Sequence, residues 1–385
     1  MYTKQYALQQ EFPETLLRTK VTIIIPSYGK GRAMVNLVRQ LARDRYRNKE
    51  IIVVLDMPDS SIVKELKKYN ECRVIVNASR KGKVNALNTA LKYASGDLFI
   101  FLDDDVEIED GGFVEKVIKN MAKCDIGDIK KVIKGKGLLG NLVYIEYMTF
   151  NFASKLFHKW AKRSIAVNGA AFAVWSKALR EIGLFRPVIS EDLDFSIRSF
   201  LAGHRFCYID DTFVWNHAPG GWRQWLKQRK RWAIGAAMWL REYIDPLLKA
   251  LKKMPHVIIP GLILILPSIF TTLLIFLLRD NMYVKSLYLL LLTLSSIIGQ
   301  FLPIASLISV NLHFMFFSQF INILIVFSVL SILYIIAARN VKMKSKFYLY
   351  PIYFLVYQPL WLTILLAGFI RVYIFKKKDV EDWVI

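Results

Sequence analysis

"KVTIIIPSYGKGRAMVNLVRQLARDRYRNKEIIVVLD", residues 20–56, decides the fold. Its opening, "KVTIIIPSYGK" (20–30), is a short apolar run closed by Pro and Gly, the form of a strand buried in a parallel sheet. "RAMVNLVRQLARD" follows with apolar residues at helical spacing, and "EIIVVLD" (50–56) is a second strand. Further along, "SSIVKELKKY" reads as helix, "CRVIVNA" as strand, "KVNALNTALKYAS" as helix and "DLFIFLDDD" (97–105) as strand. Four such alternations predict an α/β fold with an open sheet and a nucleotide site at the carboxyl ends of its strands.

The rest of the 385 residues divides by composition. Residues 1–255 carry 43 Lys/Arg and 27 Asp/Glu, whereas residues 256–385 carry 10 and 4. The expected organisation is a cytosolic domain over 1–220, an amphipathic interfacial segment over 221–255 and a transmembrane domain over 256–385. "MYTKQYALQQEFPETLLRTK" lacks the apolar core of a secretory signal, so the first domain is expected to stay in the cytosol. Cys72, Cys124 and Cys207 are far apart and form no CxxC, which indicates neither a disulfide framework nor a zinc site and fits a reducing compartment. The cations are scattered and no nucleic-acid motif appears, so the positive excess fits anionic lipid and anionic substrate better than nucleic acid, and no nucleic-acid partner is expected.

The apolar part offers spans near 256–278, 284–310, 314–338 and 348–374, each long enough to cross a bilayer. Four crossings return the basic "FKKKDV" tail to the cytosol but put "RNVKMKSK" (339–346) outside, against the positive-inside rule. Met148, Phe152, Leu156 and Trp160 fall on one helical face beside Lys155, Lys159, Lys162 and Arg163. That stripe suits a surface helix packed on the sheet and a helix lying in the membrane interface equally well.

Chemistry-bearing residues recur in order along the first domain. Asp103, Asp104 and Asp105 end a strand, where like charges repel unless a cation sits among them; hard oxygen ligands suit Mg²⁺ or Mn²⁺. Strand alternation puts Asp103 and Asp105 on one face. "KGKVNALN" (81–88) brings Lys81 and Lys83 to a helix start, where cations and amides meet phosphates. "ISEDLDFSIR" (189–198) supplies Glu191, Asp192 and Asp194; Ser190 is a potential N-cap, and Asp192 either reinforces the first helical turn or acts as a general base. In "QRKRW", Gln228 and Trp232 share a helical face with Arg231 beside them.

These segments together resemble the glycosyltransferase family 2 enzymes, in particular the membrane-embedded hyaluronan, cellulose and chitin synthases, over most of residues 20–240. The resemblance implies a GT-A-type, Rossmann-like domain followed by interfacial helices and a bundle of about four transmembrane helices. It places Pro26 and Tyr28 of "IPSYGKG" at the nucleotide, with Tyr28 against the base. It gives Asp56 of "VVLDMPDSS" the uracil, Lys83 the diphosphate, Asp103 the nucleotide and Asp105, with Asp103, the metal. "SED" stands where the family has Thr-Glu-Asp, which makes Asp192 the base and sets Glu191 beside the acceptor. "AVNGAAFAVW" (166–175), with Gly169, resembles the acceptor-side loop. "QRKRW" fits Gln-x-x-Arg-Trp without change. Gln228 and Arg231 would then face the diphosphate, and Trp232 would stack on the acceptor sugar.

The implied reaction is inverting, Mn²⁺- or Mg²⁺-dependent transfer from a nucleotide sugar, a UDP-sugar by resemblance, at the cytosolic face of a multi-pass cell-membrane protein. The acceptor is a growing glycan or, alternatively, a membrane lipid such as a polyprenyl phosphate or glycolipid. Four spans make a lean channel for a polymer unless the chain forms a homo-oligomer. A receptor that binds nucleotide sugar or glycan without turnover is the remote third reading, and the intact acidic and Gln-x-x-Arg-Trp residues speak against it.

Overall fold

β1 (Val21–Tyr28), α1 (Arg32–Ala42), β2 (Lys49–Asp56), α2 (Ser60–Leu66), β3 (Cys72–Asn77), α3 (Lys83–Leu91) and β4 (Leu98–Leu102) follow in the predicted alternation. The computed structural model describes residues 18–28, 32–265, 321 and 324–377. β1 is flanked in parallel by β2 and β4, and β2 by β3. Its buried run serves two cores at once. Ile23 and Ile25 pack with Met34, Leu37 and Leu41 of α1, whereas Ile24 points to the other face with Val84 and Leu87 of α3. A strand apolar on both faces is what a sheet covered by helices on both sides requires.

Beyond β4 come α4 (Phe113–Met121), β5 (Ile126–Lys134), α5 (Gly137–Leu156), β6 (Ala171–Trp175), α6 (Ser176–Ile182), α7 (Glu191–Ala202) and β7 (Phe206–His217). They extend the sheet to seven strands in the order β3-β2-β1-β4-β6-β5-β7. β6 runs antiparallel to β4 and β5, so the sheet is mixed. Because β5 and β7 are parallel neighbours, Cys124 and Cys207 meet and are disulfide-bonded across 83 residues, Cα atoms 5.8 Å apart. This corrects the reading of widely spaced, unpaired cysteines: spacing along the chain says nothing about strand order. The pairing also removes the support those cysteines lent to a reducing compartment.

The stripe read around 148–160 does not form one face. Met148 is buried, Phe152 and Leu156 are half-buried, and Trp160 is 78% exposed. A π-helical turn, Phe157–Ala161, adds a residue to the helix end and turns Phe157 inward instead. α5 lies on β5, with Leu142, Ile145 and Met148 fully buried.

α8 (Trp222–Lys253) and α9 (Pro255–Ile265) follow, then α10 (Leu324–Asn340) and α11 (Phe347–Tyr373). Among the described residues, α11 is the one helix long and apolar enough to cross a membrane. The proposed span 284–310 lies outside the described residues, as do most of 256–278 and part of 314–338. The run 339–346, expected on the far side of a four-span bundle, packs against the sheet domain. Lys130 Nζ donates to the Val341 carbonyl at 2.6 Å, Lys155 Nζ to the Asn340 carbonyl at 2.9 Å, and the Lys344 amide to Tyr144 Oη at 2.9 Å. This run therefore lies on the same side as the sheet.

Candidate active site

The carboxyl ends of β2 and β4 set the first side chains. Asp56 ends β2, is 2% exposed, and accepts from the Lys81 and Gly82 amides, both at 2.8 Å, and from Asn77 Nδ2 at 2.9 Å. It thereby braces the loop that starts α3, where Gly82 takes a left-handed φ of 87°. Tyr28 sits in register with Asp56, exposed, with the Arg80 guanidinium 4.3 Å above its ring. Tyr28 and Asp56 lie outside the large cavity described below, while Pro26 lines a small recess with Lys83, Asp103 and Glu191.

β4 stops at Leu102, so Asp103, Asp104 and Asp105 form a turn rather than strand. Asp103 and Asp105 still face one cavity, and Asp104 turns away to accept from Ser27 Oγ at 2.5 Å. Lys83 Nζ bridges Asp103 at 2.7 Å and Glu191 at 2.9 Å. Partial burial opposes the ammonium charge, but those two carboxylates outweigh it and raise its pKa. Partial desolvation and the Asp103 and Asp104 charges push Asp105 up to about 7.

The cavity has a volume of about 290 Å³. Lys83, Asp103, Asp105, Gly169, Glu191, Asp192, Gln228, Arg231 and Trp232, collected from five separate segments, all line it. Asp192 sits in the first turn of α7, accepting from the Gly169 amide at 3.0 Å and the Leu193 amide at 2.8 Å. Desolvation, then the neighbouring Glu191 charge, raise its pKa to about 6 against the pull of Lys83. Ser190 precedes the helix as expected, but its hydroxyl makes no capping bond; it sits against Gly235 of α8, where a Cβ would come within 2.1 Å of Oγ. Asp194 turns the other way, into an ion pair with Arg198 at 2.8 Å.

Asp103 and Asp105 offer oxygen donors of the kind a hard divalent ion takes, and both face the same cavity. Among the described residues no group of three Asp, Glu, His or Cys side chains converges as a preformed ion site. An ion held here would complete its shell with phosphate oxygens and water.

Several lining residues carried no motif. Tyr147, Asn151 and Ser154 of α5 face the cavity, with Ser154 Oγ donating to Asp128 at 2.7 Å and Asp128 paired with buried Lys131. Ile265 of α9 and Trp361 of α11 line it from the apolar part. Beneath it, fully buried Arg229 pairs with Glu146, and Tyr357 Oη donates to that carboxylate at 2.9 Å. The guanidinium lies 4.1 Å from the Trp232 ring, 5.4 Å from Trp361 and 5.6 Å from Trp225. The sequence held one signal for this: Glu146 is the lone charge in "NLVYIEYMTFNF" (141–152).

Residues 22–182 match the family model described as Glycosyl transferase family 2. A "Probable glycosyltransferase YdaM" of Bacillus subtilis (strain 168) is 26% identical over 254 residues, covering 61% of this chain and 59% of that protein. A "Poly-beta-1,6-N-acetyl-D-glucosamine synthase" of Staphylococcus epidermidis is 24% identical over 222 residues, covering 56% and 54%. The chain thus spans somewhat more than half the length of these relatives. The solved structure of "Mannosyltransferase PcManGT from Pyrobaculum calidifontis in complex with GDP-Man and Mn2+" superposes with a TM-score of 0.52 at 17% identity, covering 64% of this chain and 70% of that one, a likeness of fold. Residues 22–182, which hold the carboxylates at the strand ends, are thus similar to the Glycosyl transferase family 2 domain.

Proposed function

We propose that the chain transfers a sugar from a nucleotide sugar to an acceptor hydroxyl in one inverting displacement. The observation that carries this reading is the convergence of Lys83, Asp103, Asp105, Asp192, Arg231 and Trp232 on one cavity. Tyr28 offers a ring to the base, and Lys83 with Gln228 and Arg231 holds the diphosphate. Asp103 and Asp105 would hold Mn²⁺ or Mg²⁺, which when bound neutralises charge on the diphosphate. Asp192 accepts the proton of the acceptor hydroxyl as its oxygen bonds to the anomeric carbon. The bond from that carbon to the diphosphate breaks with its electron pair on the departing oxygen, and Arg231 stabilises the charge gathering there. Glu191 keeps Lys83 in place, Gly169 holds Asp192, and Trp232 gives the acceptor sugar an apolar face.

Processive polysaccharide synthesis at the cytosolic face of a membrane is the favoured form, supported by the relatives named poly-β-1,6-N-acetyl-D-glucosamine synthase and by the Gln-x-x-Arg-Trp match. A UDP-sugar is the favoured donor, on the resemblance. A lipid acceptor is the second reading, favoured by Ile265 and Trp361 in the cavity wall. The deciding experiment supplies the purified protein in lipid with Mn²⁺ or Mg²⁺ and labelled nucleotide sugars, then partitions and sizes the products. High-mass aqueous label cut by a specific glycan hydrolase supports the polymer. Label in a single glycolipid makes the acceptor a lipid, and no metal-dependent release of nucleoside diphosphate with any donor defeats both forms.

A further inference from the structure

α11 passes the length and composition test for a membrane crossing. Its packing points elsewhere. α8, which runs beside it, is not a crossing helix: it carries Arg223, Lys227, Lys230, Arg241, Asp245 and Lys249 along its length. Both ends of α8 are also tied to the sheet domain. Near its start, Arg229 pairs with Glu146 of α5; near its end, Trp239, Tyr243 and Leu247 join the core that includes Ile24 and Phe101.

α11 follows α8 in the same direction. Its Tyr357 accepts from Trp225 Nε1 at 3.0 Å, and Trp361 and Leu365 cluster with Ala233 and Ala236. Gly368 lies so close that a Cβ there would be 2.7 Å from that of Ala233, and Val372 clusters with Ile234, Ala237 and Ile189. The N-terminal approach to α11 is fastened to α5 through Lys346 Nζ, which donates to Asn141 Oδ1 at 2.5 Å. Both ends of α11 therefore rest on the side of the sheet domain.

Its burial alternates with helical period: Tyr353, Tyr357, Trp361, Leu365, Gly368 and Val372 face inward. The outward face, Leu355, Val356, Leu360, Leu366, Ile370 and Tyr373, is apolar and at least 38% exposed at every one of these positions. Cations flank both ends, Lys342, Lys344 and Lys346 before the helix and Lys376, Lys377 and Lys378 after it. A helix bearing an apolar stripe with cations at both ends suits the headgroup–acyl boundary of an anionic leaflet.

We infer that α11 lies in the plane of the membrane surface on the catalytic side, strapped to α8, with its outward face in lipid and neither end crossing. The occupant of that face is the acyl boundary of a bilayer; the adjoining apolar sequence 256–338 provides the attachment that brings it there. The arrangement keeps Trp361 in the cavity wall, and it holds whether the acceptor is polymer or lipid.

Single cysteines at Lys344→Cys and Lys377→Cys in the full chain, with Cys72→Ser, test it in sealed inverted vesicles holding anionic lipid. A membrane-impermeant maleimide is expected to label both sites before detergent is added. Labelling of the residue-377 site only after detergent, with the residue-344 site labelled before, means that the helix crosses and overturns the proposal. A nitroxide at Leu366→Cys is expected to collide far more with dissolved oxygen than with a water-soluble nickel chelate. The reverse preference puts that face in water and overturns the lipid assignment. Retained nucleotide binding certifies that each variant is folded.

Discussion

The Gly169 amide donates to Asp192 Oδ2 at 3.0 Å, and a Cβ at residue 169 would stand 2.8 Å from that same oxygen. The backbone of the 166–175 loop thus both holds the carboxylate and leaves no room for a side chain. Gly169→Ala should displace Asp192 and lower turnover by about 100-fold, the scale of an ångström's misplacement. The donor KM, set on the far side of Lys83, should change less than threefold or so by the same reasoning. Steady-state kinetics on both substrates measure the split.

A base must be ionised to take a proton. Burial and Glu191 hold Asp192 near pH 6, above an ordinary carboxylate. Transfer should therefore be flat above about pH 7 and fall by about tenfold per unit below pH 6. Asp192→Asn should abolish transfer at every pH while nucleotide binding, followed by calorimetry, survives. Unchanged turnover in that variant removes Asp192 as the base.

Chelation should silence transfer, and Mn²⁺ or Mg²⁺ should restore it. Asp105→Asn should weaken the metal-dependent part of nucleotide binding by about tenfold or more, the loss of one charged ligand to an ion–diphosphate complex. The part measured in chelator should stay as in the parent, since Lys83 and the base-side residues are untouched. Equal affinity with and without metal in the parent protein would exclude an ion between Asp105 and the diphosphate.

Glu146 and Arg229 pair where water does not reach, so losing one strands the other. Glu146→Leu or Arg229→Met alone should cost about 3–5 kcal/mol, and the double variant less than either. Thermal unfolding in lipid reads this as a lower Tm for each single variant and a partial recovery for the pair.

The residues themselves show where sequence reading works. β1, β2 and β4 were legible because both faces are buried, which turns strands into nearly unbroken apolar runs. Lys83, Asp103, Asp192, Arg231 and Trp232 were legible because charge and Gly or Trp recur in short motifs, and the fold brings all five to one cavity. Asp103 and Asp105 do share a side, but through a turn rather than through strand alternation. The antiparallel β6, the Cys124–Cys207 pairing and the role of Trp361 were not legible, because each depends on chain order in space. Nor was the helical stripe at 148–160 what it looked like: a single π turn rotates Trp160 out of it.

Lys83 is shared by two carboxylates from separate segments, Asp103 after β4 and Glu191 at the start of α7. A diphosphate that attracts this ammonium leaves Glu191 less compensated, and Glu191 is the charge that, after desolvation, makes Asp192 more basic. On the proposed function, donor arrival would therefore make Asp192 more basic. Such coupling is reciprocal, so a proton taken up by Asp192 and a nucleotide held by Lys83 favour each other.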